Sequence, residues 1–504
     1  MIKFLALCIS LPFVLSPFLS AVEKNIIFFI TDDQSPTLGC YGDPIAKTPA
    51  IDTLAQDGTL FQNAFATTAS CSASRSVVLS GLHNHANGQY GHQHSFHKFS
   101  SYEKVSSLSL PIALTNAGYR TGQIGKYHVA PERVFSFETY LKGNPRNAVH
   151  MAEQAKEFIT EKSEKPFFLY FATSDPHRGG GKDNSSKQRL KPDLFGNKPN
   201  GQSHDGIDEV FYQPKDLPIP AFLPDTIQTR EELAQYYQSV SRIDQGLARL
   251  VEILKEAQLY DKTLIVFTSD HGMAFAGGKT TVYEGGLKVP FVVRNPYEKK
   301  RGVKHQALIS HIDITPTLLD FAGALDHKKN RPTLWNQNTN IPKAKPGAPK
   351  DNLGNNKLSH YHGKSWLSIL GDSKKMHWDE IFASHTFHEI QMYYPMRVIR
   401  DDQYKLIWNI AHPLPYPFAS DLWAASSFQA QYQQSMSAPY GQKTVREYIH
   451  RPEFEFFKID DDPHEANNLA GNSKHTAALE LYKEKLKAAQ SKFHDPWIMK
   501  WKYE

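Results

Sequence analysis

Cys71 lies in "TTASCSASRSVVLSG" (67–81), between small polar residues and four positions before Arg75, in a chain with only three cysteines. A structural cysteine usually sits among apolar neighbours. This one reads as presented for chemistry. A helix begins at or near it, so its thiol falls where unpaired N–H groups and the helix dipole favour an anion. Four further stretches end in residues that can do chemistry. "NIIFFITDD" ends in Asp32 and Asp33, and "GYRTGQIGKYH" in Lys126 and His128. "KPFFLYFATSDPH" ends in Asp175 and His177, and "DKTLIVFTSDHG" runs into Asp270 and His271.

The acids Asp32, Asp33 and Asp270, with His271, form a candidate cation site. Three carboxylates favour a hard ion, Ca²⁺ or Mg²⁺, whereas the imidazole is more usual beside zinc. Arg75, Lys126, His128, His177, Lys279 and Arg178 would make a positive pocket that neutralises an oxyanion. The combination points to metal-assisted hydrolysis of an anionic ester, with Cys71 as nucleophile or its precursor. The alternative for Cys71 is a disulfide to Cys40, which an exported chain permits.

These residues need a scaffold that brings four strand ends together. The apolar runs lack two-residue alternation, as strands covered on both faces do. Helical segments separate them. "TPAIDTLAQDG" offers Thr48 as N-cap, Pro49 in the first turn and Gly58 as the stop. "REELAQYYQSVSRIDQGLARLVEILKEAQ" is long and amphipathic, and "DITPTLLDFAG" runs from Asp313 to Gly323. Strands alternating with helices predict a doubly wound α/β sheet, whose ligand site lies at the carboxyl ends of the strands. All four polar clusters fall there.

The N-terminus, 1–21, carries Lys3 and an apolar run broken by Pro12 and Pro17. It is shorter than the ~20 residues of a membrane span and ends in small residues, which predicts an export signal. A periplasmic or secreted protein is expected, not an integral membrane one. Residues 22–375 are expected to form the catalytic domain, with an Asn-, Lys- and Pro-rich loop or insertion at 325–358. Residues 376–504 read as a smaller α+β subdomain, with antiparallel strands in "DEIFASH", "YYPMRVIRDDQYKLIWN" and "EFEFFKID" and a last helix after them. The net charge of +5 is spread without a basic block. That excludes nucleic acid as a partner.

"CSASR" (71–75) resembles the type I sulfatase signature, Cys-x-Pro/Ala-x-Arg, and "KTTVYEGGLKVP" resembles a second segment of that family. The resemblance covers nearly the whole mature chain, through "YKLI" and "DDPHEANNL". "NGQYGHQHSFHKFSSYEKV", "SDPHRGG", "HEIQMYYPMR" and "FHDPW" are most similar to the heparan N-sulfoglucosamine sulfohydrolase branch. Ala73 stands for the commoner proline, Lys279 where that branch tends to carry arginine, and His271 where it tends to carry asparagine.

What the resemblance implies is specific. The fold would be the alkaline phosphatase-like sulfatase fold, with a large mixed, mostly parallel sheet flanked by helices. Cys71 would be converted to formylglycine (3-oxoalanine) by a maturation enzyme that reads the segment before folding. Asp32, Asp33, Asp270, His271 and the converted Cys71 would bind Ca²⁺. Arg75 and His128 would hold the nucleophile, Lys126 and Lys279 would neutralise sulfuryl oxygens, and His177 would protonate the leaving group. The partner would be a sulfated oligosaccharide attacked from its end, at the N-sulfate of glucosamine or at an O-sulfate of a marine galactan such as carrageenan. Arg178, His388, Glu389 and Arg397 are the candidate sugar contacts. Two other classes compete. A phosphate or phosphonate ester hydrolase shares this superfold and often holds two metals. A carbohydrate-binding protein on a dead sulfatase fold would need losses among the matched residues, and none is lost.

Overall fold

The computed structural model describes residues 24–93, 99–178, 195–198, 202–334 and 358–503. The expected export segment 1–21, and 335–357 of the expected insertion, lie outside the described residues. Eight strands form the main sheet: β1 (Asn25–Thr31), β2 (Thr59–Phe65), β3 (Arg120–Gly125), β4 (Thr139–Leu141), β5 (Phe167–Ala172), β6 (Thr263–Ser269), β7 (Phe291–Arg294) and β8 (Val303–Ser310). Their order is β4-β3-β5-β1-β6-β7-β2-β8. Only β7 runs antiparallel to its neighbours, β6 and β2. The four strands whose ends carry the polar clusters are therefore adjacent, as β3-β5-β1-β6.

Burial on both faces explains the unalternating sequences. Ile27, Phe29, Leu169, Phe171, Ile265 and Phe267 enter one core. Their immediate neighbours Ile26, Phe28, Phe168, Tyr170, Leu264 and Val266 enter the other. Successive strand residues point to opposite faces, so a sheet covered twice needs apolar residues at every position. Each large side chain buried this way contributes roughly 1.5–3 kcal/mol.

The helices follow the sequence signals. α1 (Pro49–Gln56) starts after Thr48 and ends at Asp57. The helix Ile227–Glu256 buries Leu233, Tyr237, Val240, Leu247, Leu250 and Leu254 on one stripe, at the spacing an amphipathic helix requires. It crosses the helix Ala148–Thr160 closely, because a Cβ added at Gly246 would sit 2.1 Å from Ala148 Cβ.

The C-terminal strands Ile381–His385, Met396–Arg400, Tyr404–Asn409 and Phe454–Lys458 form an antiparallel sheet in that order. One of its faces, with Ala383, Val398, Ile407 and Phe457, joins the first core of the main sheet. The other, with Phe382, Ile399, Leu406 and Phe456, lies under Leu479, Tyr482 and Leu486 of the helix Thr476–Lys492. The second sheet is thus fused to the first, and its residues can reach the main sheet's carboxyl edge. Among the described residues no helix is long and apolar enough to cross a membrane.

Candidate active site

α2 (Cys71–Ser80) is buried along its whole length, with Ser70 extended before it and Gly81 at φ +64° after it. Cys71 occupies its first position, as expected. It is not presented, however, because its side chain is fully buried. His271 Nε2 lies 3.3 Å from Cys71 Sγ, and Asp33 Oδ1 lies 3.6 Å away. Burial, then the charge of Asp32, pushes the thiol well above its ordinary pKa. Cys71 and Cys40 are both free thiols, so the disulfide alternative is overturned.

β1 and β6 pair in parallel with Thr31 opposite Ser269, which brings the next residues, Asp32 and Asp270, side by side. Arg75 lies between them. Its Nη2 donates to Asp32 Oδ1 at 3.2 Å and its Nε to Asp270 Oδ2 at 3.1 Å. Its Nη1 donates to the Tyr170 hydroxyl at 3.2 Å. Lys126 also donates to Asp32. Burial alone would raise the Asp32 carboxyl, but the Lys126 and Arg75 charges reverse that and hold it well below its ordinary value. Asp270 goes the other way. Burial and the Asp32 charge raise it to about 6.

The donor set fits a hard cation. His271 Nδ1 lies 3.0 Å from the Gly272 carbonyl and donates to it, which turns Nε2 toward Asp33 Oδ1 at 3.1 Å and Cys71 Sγ at 3.3 Å. Asp32, Asp33, Cys71 and His177 offer ligand atoms within 4.8 Å of one another, and so do Cys71, Asp270 and His271.

Lys279 is the second buried cation. Its Nζ lies 2.9 Å from Asp33 Oδ2, 2.9 Å from His177 Nε2 and 3.0 Å from Asp421 Oδ2. Burial and the cations Lys279 and Lys126 hold His177 well below the ordinary imidazole value. The His128 ring packs edge-on to His92, 4.8 Å between centroids, and His388 lies 3.8 Å from His92 on another side. His388 Nδ1 is bonded to Ser70 Oγ at 3.0 Å, so it reaches the start of α2. Glu389 follows it, half-buried. Asp33, His128 and Thr280 all have positive φ, at 63°, 51° and 63°. Such backbone persists only where the surroundings over-determine it, and it clusters at functional sites.

Two expected sugar contacts are placed elsewhere. The Arg178 guanidinium is buried between Phe195 and Phe275 and donates to Glu232 at 2.6 Å. Arg397 is buried against Asp495, at 2.5 and 3.1 Å, with Trp497 on its face. A buried guanidinium needs a carboxylate, and these two already have theirs. Asp175 is likewise held by Arg146 and Arg242 rather than by the cluster. Asp421, His92 and Tyr170 join the site without having been singled out. Tyr170 reads as one more apolar strand residue, and Asp421 lies in a segment with no pattern. His92 stands in a quoted stretch, but no spacing marks it.

A mostly parallel sheet with this acid-rich carboxyl edge, and a second antiparallel sheet fused to it, defines the alkaline phosphatase-like sulfatase architecture. Residues 24–324 match the sulfatase family model, and the chain belongs to that family. It is a sulfuric ester hydrolase. It is 34% identical over 490 residues to N-sulphoglucosamine sulphohydrolase of Homo sapiens, covering 95% of this chain and 92% of that one. Among solved structures, an enzyme in complex with its substrate D-glucosamine-2-N,6-O-disulfate superposes with a TM-score of 0.61 at 20% identity, over 94% of this chain and 99% of that one. A phosphonate monoester hydrolase of Agrobacterium radiobacter gives the same TM-score, 0.61, at 18% identity, over 93% of this chain and 96% of that one. The architecture is therefore common to sulfur and phosphorus ester hydrolases, and the family match separates them.

Proposed function

We propose that this chain is an exported, exo-acting carbohydrate sulfatase that uses a formylglycine made from Cys71 and a Ca²⁺ ion to remove the N-sulfate of a terminal glucosamine. The observation that carries the chemistry is the convergence of four strand-end clusters, through Asp32 and Asp33, His128, His177, and Asp270 and His271, on one sulfur atom. The similarity to N-sulphoglucosamine sulphohydrolase along both chains supports the substrate. The buried thiol is a poor nucleophile at neutral pH, which supports its conversion. The hydrated aldehyde would supply one hydroxyl for attack and a second to release sulfate. The cation, when bound by Asp32, Asp33, Asp270 and His271, supplies positive charge opposite the sulfuryl oxygens.

The chain's own residues do the rest. Arg75 bridges Asp32 and Asp270 and offsets part of their mutual repulsion. Lys126, just after β3, and Lys279, in the loop after β6, would face the sulfuryl group and neutralise charge that develops there. Lys279 Nζ lies 2.9 Å from His177 Nε2, and His177 would protonate the leaving nitrogen with a proton taken from solvent, so that Lys279 keeps its charge. His388 and Glu389 line the approach for the sugar.

The test uses chain co-produced with a maturation enzyme. Mass spectrometry of the Cys71 peptide should show the aldehyde or its hydrate. Free sulfate should appear from N-sulfated glucosamine oligosaccharides, with loss only at chain ends. Release from carrageenan oligosaccharides alone would keep the reaction and replace the substrate. Full activity with an unmodified thiol would sink the mechanism. Turnover of phosphonate esters in preference to sulfate would favour the phosphohydrolase alternative. Glu389→Gln should weaken sugar turnover and spare a small aryl sulfate.

A further inference from the structure

Lys279 is buried, and an ammonium in such a place has three N–H groups to satisfy. All three have partners: Asp33 Oδ2, His177 Nε2 and Asp421 Oδ2, at 2.9, 2.9 and 3.0 Å. A sulfuryl oxygen can bind Lys279 only if one partner lets go. Asp33 belongs to the cation site and His177 to the proton path. Asp421 belongs to neither, and it comes from 142 residues further along the chain.

Asp421 is also fixed in place. Its Oδ1 accepts the Leu422 N–H at 3.0 Å. The short helix Ser420–Trp423 that carries it is held by Ala419 and Leu422, which pack against Ala274 and Met392. Ala274 lies in the loop after β6 that continues into Lys279. The two partners are thus mounted on elements that pack together.

We propose that Asp421 is a positioning residue for sulfuryl transfer: it anchors the Lys279 ammonium from the C-terminal region, so that the N–H facing Asp33 can turn to a sulfuryl oxygen. The proposal rests on the sulfatase reading of the site. Asp421 acts through Lys279 and does not touch the ester itself. Without the carboxylate, Lys279 stays buried beside Lys126 and the cation, and it swings away from the sulfate position.

The test is a double-mutant cycle on the formylglycine-bearing enzyme with an aryl sulfate. Asp421→Asn should lower kcat about tenfold to a hundredfold and change KM far less. Asp421→Glu should restore most of the loss. In a Lys279→Gln background the same Asp421→Asn change should cost under about twofold, because the effects share one group. Titration calorimetry with inorganic sulfate should show weaker binding to Asp421→Asn, and its crystal structure should show the Lys279 side chain displaced. Wild-type kcat in Asp421→Asn, or an equal cost in both backgrounds, would overturn the proposal. So would a fall in melting temperature with kcat per folded molecule unchanged. If the wild-type enzyme releases no sulfate from any ester, the sulfatase reading fails. The Lys279 position in Asp421→Asn then still decides the pairing.

Discussion

Asp32 and Asp270 sit side by side, fully buried, yet their carboxyl groups are driven in opposite directions. Asp32 has the Lys126 and Arg75 charges beside it and stays ionised. Asp270 shares Arg75 but faces burial and the Asp32 charge, and rises to about 6. A carboxylate must be deprotonated to bind a metal, so protons compete with the cation. The sign follows from the folded value being raised. Above about 6 Asp270 is ionised and ready, and below it the proton must be displaced. Calcium affinity should therefore fall by up to about tenfold per pH unit below about 6. Isothermal titration with Ca²⁺ between pH 5 and 7.5 measures this. A flat affinity across that range would show that Asp270 does not take part, and Asp270→Asn should lower the affinity and flatten the profile.

At the scale of elements, α2 decides where Cys71 sits, and its far end is as constrained as its near one. Gly81 turns the chain at φ +64°, with Tyr361 Cδ1 2.8 Å and the Ile312 carbonyl 3.3 Å from where a Cβ would lie. Gly81→Ala should cost about 1–3 kcal/mol from the left-handed backbone and the overlap. A denaturant midpoint unchanged from wild type would refute that. The strands that position the acids were legible in the sequence, because a strand buried on both faces must be apolar throughout and must end where polarity begins. α2 was legible only as a helix start near Cys71, because its serines, valines and cysteine carry little helix propensity and burial along its whole length supplies the rest. The partners that arrive from elsewhere were not legible. Arg178 and Arg397 look like free cations in the sequence, and only the fold brings Glu232 and Asp495 to them. Asp421 looks like a surface acid until the short helix it sits on packs against the loop after β6. Local pattern reports burial and periodicity, not which distant charge closes an ion pair.

The whole molecule is built with many histidines inside it, and that sets its response to acid. Burial lowers His311 and His385 to about 3, with His271 adding to the first and Arg451 and Arg397 to the second. Burial, with neighbouring histidines, also holds His83, His92 and His362 well below the ordinary value. These rings are neutral in the fold, whereas in the unfolded chain they protonate near pH 6.5. For a depressed histidine the unfolded state binds more protons once pH falls below about 6.5, so stability is lost as the pH falls from there toward the folded value. Asp270, raised to about 6, Asp244, raised by burial to about 7, and Glu465, also raised by burial, pull the other way over roughly pH 4 to 7, but they are three groups against at least five. Asp32, held well below its ordinary value, adds to acid loss only under about pH 4. Net stability should therefore drop as pH falls from 7.5 to 5.5, by about 1 kcal/mol for each histidine that stays neutral in the fold. Urea unfolding monitored by tryptophan fluorescence at the two values, in chelator so that calcium linkage is removed, gives the difference. His385 tests the cause, since it closes the first strand of the second sheet and its Nδ1 has no hydrogen-bond partner. His385→Gln cannot titrate, so it should reduce the loss between pH 7.5 and 5.5 by about 1 kcal/mol, whatever it costs at pH 7.5. An unchanged pH dependence in that variant would mean that His385 protonates inside the fold and that the acid response arises elsewhere.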